Sequence, residues 1–546
     1  MTSADSDRVR TVKAYHERTK HDFYRYAQGP YDLDWASQPD PFRRWKGAQL
    51  FALEVDGDLG QPDWAAAKSG DIPPAKLNHQ SLSRFLFDSL ALSAWKEAGG
   101  ARWSLRVNPS SGNLHPTEAH LLLPAMDKLA ETCGVYHYAP RQHELELRAA
   151  LSETNAELLG DLASGCEFFV GLTSILWRES WKYGERAFRY TQHDAGHAIA
   201  ALSIAAAGLG WRAALVDELS SEDLALWLGC AQTSFPESEE ADVLVRVSTG
   251  QEQVQELSNP CVPGDSIDWI GEPSVLSPSH VHWDVIEAVA AAAKKPRGCD
   301  SYEGAAEQHP PDPSKRPKAS LRQLVRKRRS AVAMDGCTTL SSAGFFQMLA
   351  DCVPQGDAAP FSAIRWRPRL HLALFVHRVD GVAPGLYWLS RESSALQRAK
   401  QACSSEFRWE RPPALEDELP LYLLKEGPVA GLAARLSCQQ EIAGSGAFSL
   451  GMIADFDDAL DSHGAWFYPR LFWEAGLIGQ ALYLEAHVHG LSGTGIGCYF
   501  DNPVHAALGL MGSAWQSLYH FTVGGAVDDA RLQTLPAYES SKGSRI

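Results

Sequence analysis

The sequence predicts a protein of mixed helices and strands, built from two copies of one domain that pack as a pseudo-twofold dimer. At 546 residues the chain is too long for a single hydrophobic core. The segments 189–201 and 470–482 are similar in character, and both lead into glycine-rich turns. In the same way, HLALFVHRVDGVAPGLYWL in the second half corresponds to HLLLPAM and CGVYHYAP in the first. A repeated domain is the most economical interpretation, and two copies on one chain usually form a pseudodimer.

Composition and charge narrow the classes of function. Hydrophobic residues make up 45% of the chain and charged residues 21%, which is ordinary for a globular protein. The net charge of −17 argues against nucleic acid and anionic membranes as partners. The sequence has no apolar run of about 18 residues and no apolar signal segment at its start. Its ten cysteines include no C-x-x-C pair, so we expect reduced thiols and a cytoplasmic protein.

The first elements combine an arm, a helix and several strands. Residues 1–75 mix aromatic and charged residues without sustained periodicity, which predicts an arm lying on the folded body. From Lys76 the pattern becomes helical, and the predicted helix continues until Gly99 and Gly100 stop it. Its periodic positions are Leu82, Phe85, Leu86, Ser89, Leu90 and Ala94. Strands are predicted at Ala119–Pro124, Gly134–Tyr138 and Cys166–Thr173.

The strongest helix of the first half lies within 181–217. Small and apolar residues cover nearly every face from Ala195 onward, so this helix should be central and buried. It should end at Gly208 and Gly210 and lead into a strand at Trp211–Val216.

His193 and His197 stand four residues apart on this helix, a spacing that metal ligands can use. No third ligand is evident, so we interpret them as satisfied histidines of a helix face. No metal site is predicted.

A change of composition divides the chain. Residues 288–318 are rich in proline, charge and small residues, which predicts an interdomain linker. The division gives a first domain at 76–287 and a second domain at 319–546.

The loop RVNPSSGNLHPTE, residues 106–118, is the strongest candidate for a binding element in the first half. The small residues that follow Pro109 cannot form a core of their own. Gly112 lacks a side chain, so backbone N–H groups and the hydroxyls of Ser110 and Ser111 could lie against a flat ligand. The alternative is a simple turn, rich in proline and glycine, that leads into a strand.

The second half opens with a basic cluster, Arg326–Ser330. Two or three cations beside a hydroxyl suit a phosphate group, which arginine can bind with two hydrogen bonds. A solvated basic helix end explains the cluster alone equally well. The second half has no loop like PSSGN, and the first half has no Arg-Arg-Ser at its start. The PSSGN loop therefore occurs only in the first half, and the Arg-Arg-Ser segment only in the second.

Together these segments resemble the flavin-dependent nitroreductase superfamily, and within it the SagB/ThcOx-type dehydrogenases in a tandem, fused form. The resemblance covers nearly the whole chain and rests on YHERTKH, LDWASQPDPFR, PSSGNLHPTE, WKYGERAFRYTQHDAGH, RRS, GTGIGCYFD and YHFTVGGAVDDARLQTLPAY. It implies an α+β fold in which two nitroreductase-like domains form a pseudodimer within the chain. It also implies FMN as the cofactor, bound at the interface between the two copies.

The resemblance implies one composite flavin site. The second half would supply a phosphate site, a C-terminal arginine and a glycine-rich turn beside flavin N5, and the first half would supply the P-S-x-x-N loop. The corresponding residues are Arg328, Arg329, Ser330, Arg531, Gly495, Ile496, Gly497 and Cys498 in the second half, and Pro109, Ser110, Ser111, Gly112 and Asn113 in the first. Because the reciprocal set is absent, we expect one working flavin per chain.

Azoline-oxidising members of this branch carry an adjacent Lys-Tyr pair that is important for catalysis, and Lys182 and Tyr183 match it. The equivalent place in the second half has His463 and Gly464, so the pair occurs once, on the half that carries PSSGN. A lysine there is suited to remove a proton from the substrate while hydride leaves to the flavin. The alternative is a surface lysine that precedes a long helix.

Three functions remain open at this stage. The leading one is an FMN-dependent oxidoreductase that transfers hydride to flavin N5 and oxidises azoline rings of a peptide or a related small molecule. The second is an NAD(P)H-dependent reductase of nitro or quinone compounds. The third is a non-catalytic flavin-binding scaffold in a biosynthetic complex. The expected partners are a small-molecule or peptide substrate, without nucleic acid or membrane. Beyond the pseudodimer, both a monomer and a higher homo-oligomer are open.

Overall fold

Two large antiparallel sheets and the helices packed on them form this α+β protein. The computed structural model describes residues 3–55, 57–160, 162, 166–231, 237–250, 262–303, 316–415 and 419–538. We call the described residues up to 303 the first half and those from 316 onward the second half.

The helices of the first half are α1 (Ser3–Arg18), α2 (Trp64–Ser69), α3 (His79–Ser89), α4 (Glu153–Leu158), α5 (Leu176–Tyr183), α6 (Ala187–Ala207), α7 (Ser221–Leu228) and α8 (Asp284–Ala292). Those of the second half are α9 (Leu321–Lys327), α10 (Ser342–Ala350), α11 (Ser393–Ala402), α12 (Ala430–Leu436), α13 (Ile442–Ser445), α14 (Phe456–His463), α15 (Tyr468–Val488) and α16 (Asp501–Leu508). None of these described helices has the length and apolar character needed to cross a membrane.

The strands of the first half are β1 (Trp45–Lys46), β2 (Leu50–Ala52), β3 (Leu92–Ala98), β4 (Ala101–Arg106), β5 (Thr117–Leu123), β6 (Gly134–Ala139), β7 (Glu144–Ala150), β8 (Glu167–Ser174), β9 (Arg212–Val216), β10 (Glu240–Ser248) and β11 (Glu272–Pro273). Those of the second half are β12 (Leu340–Ser341), β13 (Leu370–Val376), β14 (Val379–Asp380), β15 (Gly385–Leu389), β16 (Leu421–Glu426), β17 (Phe448–Asp455), β18 (Ser492–Ile496), β19 (Trp515–Gly524) and β20 (Gln533–Leu535). The four strands predicted in the first half appear as β5, β6, β8 and β9.

The two large sheets share one strand order. The first runs β2-β7-β6-β5-β8-β10-β9 and the second runs β16-β15-β13-β17-β19-β18. Apart from β2, each strand of the first sheet has a counterpart at the same position in the second. In both halves a long helix, α6 or α15, precedes the edge strand β9 or β18. The predicted α+β fold is confirmed, and the shared order agrees with two copies of one domain.

The long helices α6 and α15 cross in the core between the halves, and almost all of their residues are buried. Two glycines allow the backbones to touch. A Cβ atom on Gly476 would lie 2.6 Å from the carbonyl carbon of Gly196 and 2.6 Å from the carbonyl oxygen of His193. A Cβ atom on Gly196 would lie 2.6 Å from the Cα atom of Trp473. Glycine at these positions therefore sets the distance between the two halves.

The first predicted helix was wrong in its second part. Helix α3 ends at Ser89, and the following residues form the hairpin of β3 and β4. Gly99 and Gly100 form its turn with φ angles of 58° and 82°, which suit the twist of a two-residue hairpin. Leu92 and Ala94 are buried in β3. Ala94 lies four residues after Leu90, which fits a helical series, and two residues after Leu92, which fits a strand.

The N-terminal segment lies on the folded body and begins with a helix, α1, that the sequence pattern did not reveal. Its buried residues Val9, Val12 and Tyr15 are spaced by three within an otherwise polar segment. The hydroxyl of Tyr15 donates to the carbonyl of Glu185 at 2.7 Å. Further along, β2 pairs with β7 and so joins the first large sheet.

The C-terminal segment returns from the second half to the first. Strand β20 pairs with β3, and together with β4 they form a three-stranded sheet. The indole N–H of Trp95 donates to the carbonyl of Ala537 at 3.1 Å, and the hydroxyl of Tyr538 donates to the carbonyl of Pro140 at 2.6 Å. The two halves are thus joined at their edges as well as through α6 and α15.

The predicted linker at 288–318 begins within a helix, because α8 extends to Ala292. The side chain of Lys295 then donates to the carbonyls of Asp217 and Leu219 at 2.5 and 3.3 Å. Residues 304–315 lie outside the described part of the chain. The domain boundaries remain predictions.

We expect Gly476→Ala to destabilise the protein, because the added methyl group meets backbone atoms of α6 that no side-chain rotation can move. Overpacking of this kind costs about 1–3 kcal/mol or more. Urea denaturation followed by circular dichroism measures the change in the free energy of unfolding.

Gly431→Ala is the matched control for this change. Gly431 lies in α12, and nothing stands within 4 Å of its Cβ position. Replacing an unhindered helical glycine by alanine stabilises by up to about 1 kcal/mol. Equal stability of the two variants would contradict a backbone contact at the crossing.

Candidate active site between the halves

A cavity of about 900 Å³ lies between the two halves and is lined by both. The first half contributes the loop Pro109–Asn113 and the hairpin of β3 and β4, through Lys96, Trp103 and Leu105. The second half contributes Arg328, Arg329, Ser330 and the turn Gly495–Cys498. The sequence-predicted residues are thus brought together from both halves. Tyr183 lines the cavity too, whereas Lys182 and Arg531 are not among the described residues that line it.

The hydroxyl groups of the PSSGN loop bond to the protein itself. Ser111 donates to the buried carboxylate of Asp194 from its backbone N–H at 2.9 Å and from its hydroxyl at 3.0 Å. The hydroxyl oxygen of Ser110 accepts from the backbone N–H of His115 at 2.8 Å. The amide of Asn113 donates to the carbonyl of Ser104 at 2.8 Å. Hydrogen bonds within the protein therefore fix the conformation of the loop.

Gly112 makes room for the predicted catalytic pair. A Cβ atom at this position would lie 2.6 Å from the hydroxyl of Tyr183 and 3.2 Å from Nζ of Lys182. The glycine also has a φ angle of 57°, which other residues rarely adopt. The sequence assigned the bare backbone of Gly112 to ligand contact, and the structure shows that Lys182 and Tyr183 approach it.

Two buried acidic residues, Glu179 and Asp194, lie near Lys182 and Tyr183, and neither was predicted from the sequence. Burial raises the pKa of Asp194 to about 7, against the opposing hydrogen bonds of Ser110 and Ser111. Glu179 is fully buried, and its two carboxyl oxygens have no hydrogen-bond partner among the described residues. Burial and the nearby Asp194 raise the pKa of Glu179 well above its usual range, while Lys182 opposes them. Lys182 therefore lies beside acids that hold protons more tightly than free carboxyls do.

The basic cluster also lines the cavity, through Lys327, Arg328, Arg329 and Ser330. Arg328 donates to the carbonyls of Val107 and Arg106 at 2.9 and 3.0 Å, which ties it to the first half. Arg329 makes three hydrogen bonds to backbone carbonyls. Burial and the charges of Arg328 and Arg326 lower the pKa of Arg329 to about 9. Each guanidinium has five N–H donors, so both retain at least two for an anion that would relieve this repulsion.

Tyr483 of α15 connects the basic cluster to the glycine-rich turn. Its hydroxyl lies 2.7 Å from the hydroxyl of Ser330 and accepts from the backbone N–H of Gly495 at 2.9 Å. Tyrosine rings leave no room for a side chain at the two glycines of this turn. A Cβ atom on Gly495 would lie 2.7 Å from Cζ of Tyr519, and one on Gly497 would lie 2.7 Å from Cδ1 of Tyr190. Bare backbone thus faces the cavity between aromatic rings.

Buried charged side chains fix the position of the glycine-rich turn Gly495–Cys498. Arg186 donates to the carbonyl of Gly497 at 3.3 Å and to the carboxylate of Asp501 at 3.0 Å. Arg189 donates to the same carboxylate at 2.8 Å. Burial alone would raise the pKa of Asp501, but the two arginines outweigh it and hold this pKa far below its usual range. Arg186, Arg189 and Asp501 form an ion cluster that joins α6 to the start of α16.

Arg531 lies apart from the other predicted cations. Its guanidinium forms an ion pair with Asp529 at 2.7 Å, and its side chain is 87% exposed. Its neighbours Ala530 and Leu532 line the cavity. Arg531 therefore stands at the rim and would have to leave Asp529 to reach an anion inside.

Sequence reasoning missed several lining residues. Tyr190, Asp194, Tyr483 and Tyr519 occupy helices and strands in which every neighbour is also buried. A helical pattern that is apolar on all faces gives no signal for the few side chains that point toward a cavity. Of these four residues, Asp194 could have been noticed in the sequence, because an acidic residue within a buried helix requires a hydrogen-bond or charge partner.

The pseudosymmetric position at the other end of the interface is filled. Asp217 follows β9 as Gly497 follows β18, and it forms an ion pair with Arg470 at 2.7 Å. Lys295 donates to the carbonyl of Asp217 at 2.5 Å and lies 5.3 Å from the ring of Trp466. Side chains of both halves and of the segment after α8 therefore close this position.

Comparisons with known proteins agree with this geometry. Residues 76–237 match the profile of the nitroreductase family. The structure of a candidate nitroreductase from Anabaena variabilis is similar over 95% of this chain and 99% of its own, with 20% identity and a TM-score of 0.68. Its fold is therefore shared over nearly the full length, across both halves. No curated protein matches the chain.

Two further structures are similar to parts of the chain. The Escherichia coli microcin synthetase McbBCD complex with truncated pro-MccB17 matches over 46% of this chain and 94% of its own, with 14% identity and a TM-score of 0.25. An FMN-dependent nitroreductase from Clostridium difficile matches over 39% of this chain and 90% of its own, with 12% identity and a TM-score of 0.20. Both TM-scores are too low to support an argument about this chain.

We expect Asp194→Asn to change how stability depends on pH. The pKa of Asp194 is raised, so between its ordinary value and about 7 only the folded state binds this proton, and wild-type stability falls as pH rises through that range. The asparagine side chain cannot ionise, so the stability of the variant does not fall with pH for this reason. Its stability relative to wild type should increase by about 2–3 kcal/mol from pH 5 to pH 8, since each pH unit is worth about 1.4 kcal/mol. Denaturation curves at both pH values measure it.

Asp529→Asn serves as the control. The hydrogen bonds from Arg531 lower the pKa of Asp529 to about 2, so its titration lies below pH 5. Its stability difference from wild type should stay constant between pH 5 and pH 8. A constant difference for Asp194→Asn as well would mean that Asp194 is ionised throughout this range.

Proposed function

We propose that this chain, whose residues 76–237 match the nitroreductase family profile, is an FMN-dependent oxidoreductase of the SagB/ThcOx type with one flavin per chain. The observation that carries the proposal is the composite cavity. The PSSGN loop of the first half meets the basic cluster and the glycine-rich turn of the second half there, and neither half has both sets. At the pseudosymmetric position Asp217, Arg470 and Lys295 occupy the corresponding space.

The residues present fit FMN in size and chemistry. A volume of about 900 Å³ lies within the range of sites that enclose such ligands. Arg328, Arg329 and Ser330 offer charged and hydroxyl donors for a phosphate. In the adjacent turn, the glycines expose backbone beside tyrosine rings, which suits a flat aromatic system. Arg531 would add a further cation only after it separates from Asp529.

Lys182 and Tyr183 are proposed as the catalytic pair. Bound FMN would supply the two-electron acceptor that takes a hydride at N5. Lys182 would remove the proton that must leave the substrate carbon when an azoline ring becomes aromatic. The buried Glu179 and Asp194 would hold Lys182 at the loop and accept or return its proton. Tyr183, whose hydroxyl reaches Gly112, would orient the substrate or the lysine.

We expect the purified protein to bind about one FMN per chain, and we expect Arg329→Ala to weaken that binding. Loss of a charged hydrogen bond costs about 1.5–3 kcal/mol, which corresponds to an increase in Kd of about 10- to 150-fold. Riboflavin lacks the phosphate, so its weaker binding should not change. Fluorescence titration with both flavins measures the two effects.

Arg326→Ala is the matched control, because it removes the same charge from a residue that stacks on Phe87 at 3.9 Å and does not line the cavity. Its FMN affinity should stay close to wild type. Two flavins per chain, or an equal loss of FMN and riboflavin in Arg329→Ala, would contradict the composite phosphate site.

We expect Lys182→Ala to retain FMN and fold but to lose azoline oxidation by about 10²–10⁴-fold, the usual contribution of a general base. Tyr183→Phe should lose less. Reduction of a nitro compound needs no proton removed from carbon, so it should be nearly unaffected. Turnover assays with a thiazoline peptide and with a nitroarene compare the two reactions in one variant.

Lys96→Ala controls for charge alone, because Lys96 also lines the cavity, on the hairpin of β3 and β4 outside the basic cluster. It should leave azoline oxidation nearly unchanged. An equal loss of both reactions in Lys182→Ala would indicate damaged binding. Unchanged azoline oxidation would remove Lys182 from the mechanism, and turnover of nitroarenes alone would favour an NAD(P)H-dependent reductase.

A further inference from the structure

Two cysteines and a histidine meet at the edge of the cavity. The sulfur atoms of Cys438 and Cys498 lie 2.7 Å apart. Nδ1 of His21 lies 3.6 Å from the sulfur of Cys498 and 4.0 Å from that of Cys438. The proposed flavin chemistry gives no role to these three side chains. Cys498 was assigned to the flavin edge through its backbone alone.

Three distant segments bring these side chains together. Cys498 lies in the turn after β18 and lines the cavity, whereas Cys438 follows α12 and has a φ angle of 54°. His21 comes from the N-terminal segment, and its backbone N–H donates to Asp501 at 2.9 Å. Gln440 donates to the carbonyl of Cys498 at 3.0 Å, which ties the two cysteine segments together. Hydrogen bonds that involve backbone groups therefore fix the segments that carry His21 and Cys498.

The charges around the cluster favour one thiolate. The hydrogen bond with Cys438, followed by His21 and Arg186, lowers the pKa of the Cys498 thiol to about 5. The same hydrogen bond and burial raise the pKa of Cys438. Burial lowers the pKa of His21, which favours the neutral form of its ring. The other described ionisable groups that face the cluster include Tyr26, Tyr183, Tyr190, Arg186 and Asp501.

The remaining described cysteines differ from this pair. Burial raises the pKa of Cys352 and of Cys403 to about 12, which makes both thiols inert. Cys166 and Cys337 are exposed, and neither has a second cysteine beside it among the described residues. Among the described cysteines, Cys498 is the one that lines the cavity and has both a lowered thiol pKa and an adjacent thiol.

A bound metal ion fits the distance less well than a disulfide does. Histidine and cysteine atoms within 4.8 Å of one another can in general hold a soft metal. Two thiolates on one tetrahedral zinc, each at about 2.3 Å, would lie about 3.7 Å apart. The observed 2.7 Å between Cys438 and Cys498 lies closer to the about 2.0 Å of an S–S bond.

We infer that Cys438 and Cys498 form a redox-active dithiol–disulfide couple that exchanges with small thiols and disulfides through the cavity. The Cys498 thiolate attacks one sulfur of a small disulfide and releases the first thiol. Cys438 gives its proton to His21 and attacks the sulfur of Cys498, which releases the second thiol. Two protein thiols are thereby oxidised to one disulfide, and one small disulfide is reduced to two thiols.

The test uses the full-length protein, with and without added FMN, so that it does not depend on flavin binding. The reduced protein is incubated with oxidised glutathione, blocked with an alkylating agent, digested and analysed by mass spectrometry. We expect a linked pair of peptides that contain Cys438 and Cys498, which dithiothreitol separates again. Because a lower thiol pKa raises the thiolate fraction but lowers its nucleophilicity, the linkage and not the rate is the readout.

Single variants separate the two steps. In Cys438→Ser the second step cannot occur, so glutathione should remain attached to Cys498. In Cys498→Ser the first step is lost, so Cys438 should carry little glutathione. Cys337→Ser removes an exposed thiol outside the couple and should leave the Cys438–Cys498 linkage unchanged.

Three results would overturn the inference. The first is wild-type protein in which Cys337 takes up glutathione while no Cys438–Cys498 linkage forms. The second is wild-type protein in which glutathione stays on Cys498 without being displaced. The third is a stoichiometric zinc ion, measured by elemental analysis, that Cys438→Ser loses. All three are read on wild type or on a conservative change, and thermal melting confirms that the variants remain folded.

Discussion

The close crossing of α6 and α15 is the constraint on which the candidate site depends. Gly196 and Gly476 let the two backbones touch, so the distance between the halves is fixed by the main chain. Each helix also anchors one wall of the cavity. Asp194 of α6 holds the loop through Ser111, and Tyr483 of α15 holds the glycine-rich turn. Because packed interiors transmit small shifts, any separation of these helices would move both walls apart.

Buried charge is the second constraint, and it orients the turn. Arg186 and Arg189 enclose the carboxylate of Asp501, which also accepts from the backbone of His21. Burying such ions is costly, and removing one partner would leave an uncompensated charge in the core. The cluster therefore specifies one position for α6, the N-terminal segment and the turn that carries Cys498. The couple of Cys438 and Cys498 depends on this arrangement, since His21 reaches it only from that segment.

The repeat and its loops were predictable from sequence, and the polar interior was not. Long apolar helices and a proline-bounded loop such as 106–118 carry their own local signal. The hairpin at Gly99 was missed because Ala94 fits both the helical series through Leu90 and the strand alternation with Leu92. Tyr483 was missed because a helix that is buried on every side does not mark which residue faces a cavity. The meeting of Cys438 with Cys498 depends on tertiary packing across about 60 residues, which no local pattern encodes.

The two ends of the interface show why a duplicated fold holds one candidate site. At the cavity, burial and the charges of Arg328 and Arg326 lower the pKa of Arg329, and no described acid forms an ion pair with Arg329, so the basic cluster favours an anion. At the pseudosymmetric end, Asp217 neutralises Arg470 and Lys295. Burial would raise the pKa of Asp217, but the two cations outweigh it, so that end is already electrostatically satisfied. A ligand placed against Asp217, at the counterpart of the glycine-rich turn, would have to separate this carboxylate from its cations. The pseudosymmetric end is therefore already charge-balanced, whereas the cavity end keeps unpaired positive charge among the described residues.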